Sequence, residues 1–303
     1  MLIKTTFTIK DLENLSGIKA HTIRIWEKRY SLLEPSRTDT NIRFYNLDSL
    51  RKLLNIKFLY EHNYKISKIA GYSKEALIAK VTELAETNKE EHSILIFKMA
   101  MFRFDQQLFA ETYEALKKTY SFPEIFQTIF IPLLTELGML WQTGSIDPCH
   151  ERFVSEMIKQ KIVLTIESLY SGNTLTNTPI FALFLPLEEI HDIGLMYANY
   201  LCVSHGISTI YLGGNISFAS LNEIIKHHEK ITFITYLTVE PSQQSLEEFC
   251  IEYNENVGGK NKNPLWLMGS KIKHQNTEAL PNNITLVKTI PQLVESLQTL
   301  KKL

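Results

Sequence analysis

The apolar residues of this chain change their spacing near residue 180, and that change divides its 303 residues into parts that cannot share one architecture. From Leu84 through Phe97, Met101, Leu108, Tyr113, Phe126, Phe130, Leu137 and Phe153 to Ile162 they recur at helical intervals. Breaks fall near Asn88, Phe104-Asp105, Ser121-Phe122-Pro123 and Asp147-Pro148, a spacing that predicts a four-helix bundle entered by a connector helix. After SGNTLTNTP, read as a Ser/Asn/Thr linker, short apolar runs predict strands over Ile180–Leu185, Thr209–Leu212, Ile231–Leu237, Leu265–Met268 and Ile284–Val287. Amphipathic segments near 191–205, 217–228, 242–256 and 290–302 predict the helices between and after them. Strand and helix alternating in this way predict a doubly wound parallel α/β sheet, flavodoxin-like, with its ligand at the C-terminal strand ends.

Charge divides the chain as well. Residues 1–75 carry 14 Lys or Arg against 8 Asp or Glu, a balance of +6, whereas the remainder carries 18 against 25, or −7. A compact basic unit on an acidic body points to a polyanion as the partner of the first part. Cys149, Cys202 and Cys250 are scattered and lack CxxC spacing, so neither a disulfide framework nor a thiolate zinc site is indicated. With no apolar run long enough for a membrane span and no signal-peptide pattern, a cytoplasmic protein without a membrane partner is expected.

Within the basic unit, Ile9, Leu12 and Leu15 predict one helix, Ser16-Gly17 a tight turn, and Ile23 and Trp26 the buried face of a second helix. That second helix offers His21, Thr22, Arg24, Lys28 and Arg29 outward, and the following segment adds Arg37 and Arg43 on a small β wing. Asn46 then caps a further amphipathic helix. The stretch TFTIKDLENLSGIKAHTIRIWEKRYSLLEPSRTDTNIRFYNLDSL resembles the winged helix-turn-helix of the MerR family, through Ile9, Gly17, Ile18, Thr22, Arg24, Trp26, Glu27, Arg29, Tyr30, Leu33, Pro35, Arg37, Arg43 and Tyr45. The resemblance implies binding to double-stranded operator DNA by a homo-oligomer, dimer or tetramer. Trp26 and Tyr45 suit packing, the arginines suit phosphates or base edges, and Glu27 suits orienting an arginine.

The loop after the first predicted strand reads LPLEEIHDIG, and its histidine, His191, is open to a catalytic, a metal-binding or a purely structural reading. A cobalt corrin requires one nitrogen donor, a carboxylate to fix its tautomer and a glycine where the chain passes closely; Glu189, His191 and Gly194 supply these at E-x-H-x-x-G spacing. The arrangement resembles the cobalamin-binding domain motif (D/E)-x-H-x-x-G, (S/T)-x-L, G-G. Thr235-Tyr236-Leu237 matches the second element and Gly269 half of the third, its partner glycine being replaced by Met268. LGMLWQTGSIDPCHERF resembles the helical cap that precedes such domains, Trp141 and Glu151 matching the residues that cover the upper corrin face. Arg152 stands where the light-sensing cobalamin-dependent repressors of carotenoid genes carry a histidine. The lesser alternative, read from the residues alone, makes Trp141 a bundle-core residue and Glu151 a surface one.

These readings give a multidomain chain: a winged helix-turn-helix over 1–75, a central helical bundle over 76–172 and an α/β cobalamin-binding domain over 178–303. The expected function is a non-enzymatic transcription regulator whose oligomeric state and DNA affinity respond to cobalamin (adenosylcobalamin or methylcobalamin) through its cobalt, with light as a further input through an adenosyl ligand. The alternative is a MerR-type regulator whose sheet domain is a degenerate, cofactor-free oligomerisation module.

Overall fold

The structure, a computed structural model, describes residues 6–170, 176–228, 230–258, 263–275 and 280–300. The chain divides into two compact units, Met1–Met157 and Ile158–Leu303.

The first unit begins with β1 (Thr6–Thr8), α1 (Ile9–Ser16), α2 (Ala20–Tyr30), β2 (Ser36–Arg37), β3 (Arg43–Asn46) and α3 (Leu47–Glu61). Thr8 starts α1 with a capping box, its hydroxyl accepting from Asp11 N (3.1 Å) while its own N–H donates to Asp11 Oδ2 (2.8 Å). Gly17 ends α1 at φ +72°, a conformation open to glycine without strain, and so sets the sharp turn into α2. The three strands form an antiparallel sheet in the order β1-β3-β2, the predicted wing. Leu12, Leu15, Ile23, Trp26, Tyr45, Leu50, Leu53 and Leu54 are buried, each leucine contributing roughly 1.5–3 kcal/mol by leaving water. Asn46 caps α3, accepting from Ser49 N at 2.9 Å, as the sequence predicts.

After α4 (Ile66–Ile69) and the connector α5 (Lys74–Ala85) come the bundle helices α6 (Lys89–Arg103), α7 (Gln106–Lys117), α8 (Phe122–Glu124), α9 (Ile131–Gln142) and α10 (Pro148–Tyr170), the last running on into the second unit. Between α8 and α9 residues Ile125–Phe130 wind as π-helix. Pro132 lacks the N–H that would donate to Thr128, so the regular ladder cannot be kept there, and an apolar pattern does not reveal such a slip. Phe97, Phe109 and Phe130 form the aromatic centre, with Phe97 and Phe109 ring centroids 4.4 Å apart.

Among the described residues of this unit, one lysine is buried. Lys98 of α6 donates to Glu136 Oε1 of α9 at 2.6 Å and to the carbonyl of Leu15, near the end of α1, at 3.2 Å. Burial lowers its pKa, against the opposing pull of the Glu136 carboxylate.

The second unit contains β4 (Thr176–Phe184), α11 (Ile193–Ser204), β5 (Ile207–Gly213), α12 (Phe218–His227), β6 (Ile231–Tyr236), α13 (Leu246–Tyr253), β7 (Leu265–Met268), β8 (Ile284–Leu286) and α14 (Ile290–Leu300). Its five strands are parallel in the order β5-β4-β6-β7-β8, the doubly wound arrangement in which the connections reverse between β4 and β6. Each predicted strand and helix is present. Their bounds shift: β4 starts at Thr176, inside the stretch read as linker, because Thr176 pairs with Ile207, β5 starts at Ile207 rather than Thr209, and α13 starts at Leu246 rather than near 242 and passes into a π turn over Asn254–Gly258. Residues 171–175 of that linker and 301–302 of the last predicted helix lie outside the described residues. One sheet face packs Phe184, Phe233, Leu237 and Leu267 under α12 and α13. Alternation along the strands sends Phe181 and Trp266, whose rings meet at 5.1 Å, to the opposite face.

Candidate functional site

On α2 the structure leaves His21, Arg24, Lys28 and Arg29 exposed and Thr22 half-buried, while Ile23 and Trp26 turn inward. Ile25 is also exposed at 53%, an apolar side chain among the cations that a search for charge passes over. Such a residue suits contact with a thymine methyl group. On the wing, Arg37 donates to Asn41 Oδ1 at 2.5 Å, and Arg43 Nε lies 3.3 Å from Glu27 Oε2. Glu27 also accepts from the hydroxyl of buried Tyr45 at 2.5 Å, so burial and the adjacent carboxylate raise the Tyr45 pKa. Glu27 thus orients one arginine, Arg43, and Trp26 and Tyr45 are packing residues.

In the bundle portion of the same unit, Trp141 is 53% exposed on α9, near exposed Met139, and is therefore not a core side chain. Glu151, in the first turn of α10, accepts from Ser155 Oγ at 2.5 Å. Its neighbour Arg152 is exposed, whereas His150 is fully buried and stacks on Phe104, with ring centroids 5.0 Å apart.

In the second unit, residues 185–192 connect β4 to α11 at the reversal point of the sheet. Glu189 is buried under this loop and its carboxylate gathers five donors. Oε1 accepts from His191 Nδ1 at 2.6 Å and from His191 N at 3.0 Å. Oε2 accepts from the backbone N–H groups of Thr238 (3.0 Å), Val239 (2.9 Å) and Glu240 (3.0 Å). Burial alone would raise the Glu189 pKa, but the hydrogen bonds from Val239, His191 and Thr238 outweigh it and bring it down to about 2. A carboxylate fixed as an anion accepts the Nδ1 proton, which leaves Nε2 of the half-exposed imidazole (48%) as the ring nitrogen not engaged by Glu189. The loop carrying those three N–H groups is held from its carbonyl side by Lys271, whose ammonium donates to Val239 O at 2.9 Å and to Pro241 O.

Three apolar side chains, Leu187, Ile190 and Val239, stand exposed in the same two loops as His191 and Glu189's donors. Among the described residues no cluster of three or more His, Cys, Asp or Glu is placed to hold a metal ion. A single imidazole in an apolar surround suits a metal that arrives with its other ligands attached.

The remaining predicted residues separate into two groups. Thr235 and Leu237 lie on the α12/α13 face and are fully buried; the Thr235 hydroxyl has no hydrogen-bond partner among the described residues. Gly269, at φ +108°, passes so close to Leu237 that a Cβ would lie 2.2 Å from its carbonyl oxygen. Leu237 N donates to Met268 O at 2.8 Å, and Lys271 N donates to Leu237 O at 3.1 Å, so Leu237 and Gly269 form one joint. Gly194 is brought instead to Tyr236: a Cβ there would lie 2.4 Å from Tyr236 Cζ. Met268, in register with Tyr236, is buried on the same face. His191 and its carboxylate partner therefore suit a metal-bound ring, while Gly194 and Gly269 are closed off by Tyr236 and Leu237 of this chain.

Residues 7–76 match the profile of the MerR HTH family regulatory protein, and residues 97–164, spanning most of α6 to α10, match that of the B12 binding domain. This is a MerR-family transcriptional regulator with a B12-binding domain. Over 231 residues the regulator is 23% identical to the HTH-type transcriptional repressor CarH of Myxococcus xanthus, covering 74% of this chain and 76% of that relative. It is 30% identical over 90 residues to the HTH-type transcriptional regulator MlrA of Salmonella typhimurium, covering 30% of this chain and 35% of MlrA. The fold of the Methanosarcina barkeri monomethylamine corrinoid protein is similar, with a TM-score of 0.55 at 14% identity, over 67% of this chain and 96% of that one. No helix among the described residues is long and apolar enough to cross a membrane.

Proposed function

We propose that this regulator binds operator DNA through α2 and the wing, and that a cobalt corrinoid bound at His191 changes its DNA affinity and its oligomeric state. The observation that carries the reading is the Glu189–His191 pair, a half-exposed imidazole whose Nδ1 is fixed by a buried, anionic carboxylate. Leu187, Ile190 and Val239 give the donor an apolar rim on which a flat macrocycle can rest. A bound corrinoid would be held by His191, and in its adenosyl form would supply a light-cleavable bond. His191 donates, Glu189 keeps the tautomer, and the 238–240 backbone keeps Glu189 ionised. Trp141 and Glu151 carry to the upper corrin face by resemblance, and exposure of Trp141 supports the assignment.

DNA binding by His21, Thr22, Arg24, Lys28, Arg29, Arg37 and Arg43 belongs to the same proposal, as does assembly into dimers or tetramers on the operator. Ligand binding would act by shifting the population between assemblies of different DNA affinity. No substrate-converting role is part of this reading. The buried Met268 favours a second reading, in which the sheet domain is a cofactor-free oligomerisation module.

Spectral titration of the purified protein with corrinoids, alongside its mass in solution and its affinity for upstream DNA, separates the two. Corrinoid-dependent change in assembly that His191→Ala abolishes supports the first. A colourless protein that assembles and binds DNA identically with and without corrinoid supports the second.

A further inference from the structure

We infer that the site accepts the corrin ring but disfavours its nucleotide tail, because Tyr236, backed by Met268, fills the space beside His191 that such a tail would need. The inference rests on the corrinoid reading above. In cobalamin the nucleotide tail hangs from the lower face of the ring, the face that an axial histidine approaches. Once His191 replaces the tail's own base, that base must enter the protein next to the histidine.

The interior beside His191 is the gap between the start of α11 and the ends of β4 and β6. On the α11 side the chain has Gly194, three residues after His191, and a glycine there leaves the width of a side chain. That width is taken up. A Cβ on Gly194 would fall 2.4 Å from Cζ and 2.6 Å from both Cε atoms of Tyr236, so the ring lies against the glycine backbone with no gap. The phenol is largely desolvated, which raises its pKa. Met268 follows on the neighbouring strand, paired in register with Tyr236 and buried, so the ring is walled on that side too. Thr235, the hydroxyl residue of the T-x-L match, faces the opposite side of the sheet with Phe184 and Phe233, and offers the tail nothing there.

An aromatic base has no room unless Tyr236 leaves, and displacing a packed ring carries the penalty of an overfilled core. Cobinamide, which carries the corrin and no nucleotide, meets no such obstacle: His191 and the apolar rim are all it requires. Tyr236 is thus a specificity-determining residue that discriminates between corrinoids by what hangs below the ring.

The test is absorbance titration of full-length protein with aquacobinamide and with hydroxocobalamin, following the spectral shift of imidazole ligation. The expected result is cobinamide binding at least about tenfold tighter than cobalamin, as an overpacking penalty of that size implies. In Tyr236→Ala, or in Tyr236→Ser should the alanine variant not fold, cobalamin tightens by about tenfold and cobinamide changes little. Wild-type protein that binds cobalamin as tightly as cobinamide overturns the inference and leaves the corrinoid reading intact. If neither corrinoid shifts the spectrum, the reading fails and the inference fails with it.

Discussion

The carboxylate of Glu189 lies 2.6 Å from Nδ1 of His191, and its other oxygen collects three consecutive backbone N–H groups of the 238–240 loop. The pair couples two loops that are about fifty residues apart in sequence, and everything proposed for His191 depends on that anion staying charged.

Its depressed pKa gives a signed stability prediction. Glu189 titrates near 2 in the folded chain, below its ordinary value of 4.5, so the stabilisation is fully present above 4.5 and is lost as pH falls towards 2. Its size is on the order of 3 kcal/mol. Denaturant melts of wild type and Glu189→Gln between pH 2.5 and 7 should differ most at neutral pH and converge in acid. Curves that stay parallel over that window would show that the carboxylate does not carry the loop.

Gly269→Ala is expected to cost about 3 kcal/mol or more, since a Cβ would strike the Leu237 carbonyl and the backbone sits at a φ that alanine resists. Urea midpoints measure this directly. Gly213, also at positive φ, has only the Tyr211 ring edge near its Cβ direction at 3.9 Å, so Gly213→Ala should cost less.

The wing and α2 make distinct predictions on DNA. Arg24 is exposed, so Arg24→Ala should leave the melting temperature unchanged and reduce the slope of log affinity against log salt by about 1. Arg43 pairs with Glu27, which also accepts from Tyr45, so Arg43→Ala should lower stability as well as affinity. A fluorescence-anisotropy salt series with parallel melts separates the two outcomes.

Much of this was legible in the residues because it rests on local chemistry. Asn46 as a cap, Gly17 as a turn and the five apolar strands follow from residue type and spacing alone. Glu189 and His191, two residues apart, could be paired from the sequence. The 238–240 N–H groups could not, since a backbone donor has no side-chain signature and its alignment depends on where β4 and β6 end. The same holds for Tyr236. Reading T-x-L for its hydroxyl and its leucine directs attention to Thr235 and Leu237, yet strand alternation brings the residue between them to Gly194. Leu187, Ile190 and Val239 looked like ordinary apolar residues until the loops exposed them.

Lys98 ties the last turn of α1 to Glu136 on α9 with one buried ammonium. Lifting the DNA-reading helices from the bundle would take the Leu15 carbonyl from that ammonium and leave only its pair with Glu136, at the cost of one charge-assisted hydrogen bond and the packing around it. The helix-turn-helix and the bundle should therefore melt in one transition, and a fragment ending before α6 should be less stable than the same residues in the whole chain. With the Asn14 to Ser145 hydrogen bond at 2.7 Å, Lys98 fastens α1 to the bundle at two separate points, so a displacement of α9 or of the turn after it would be felt at the helix on which α2 is mounted.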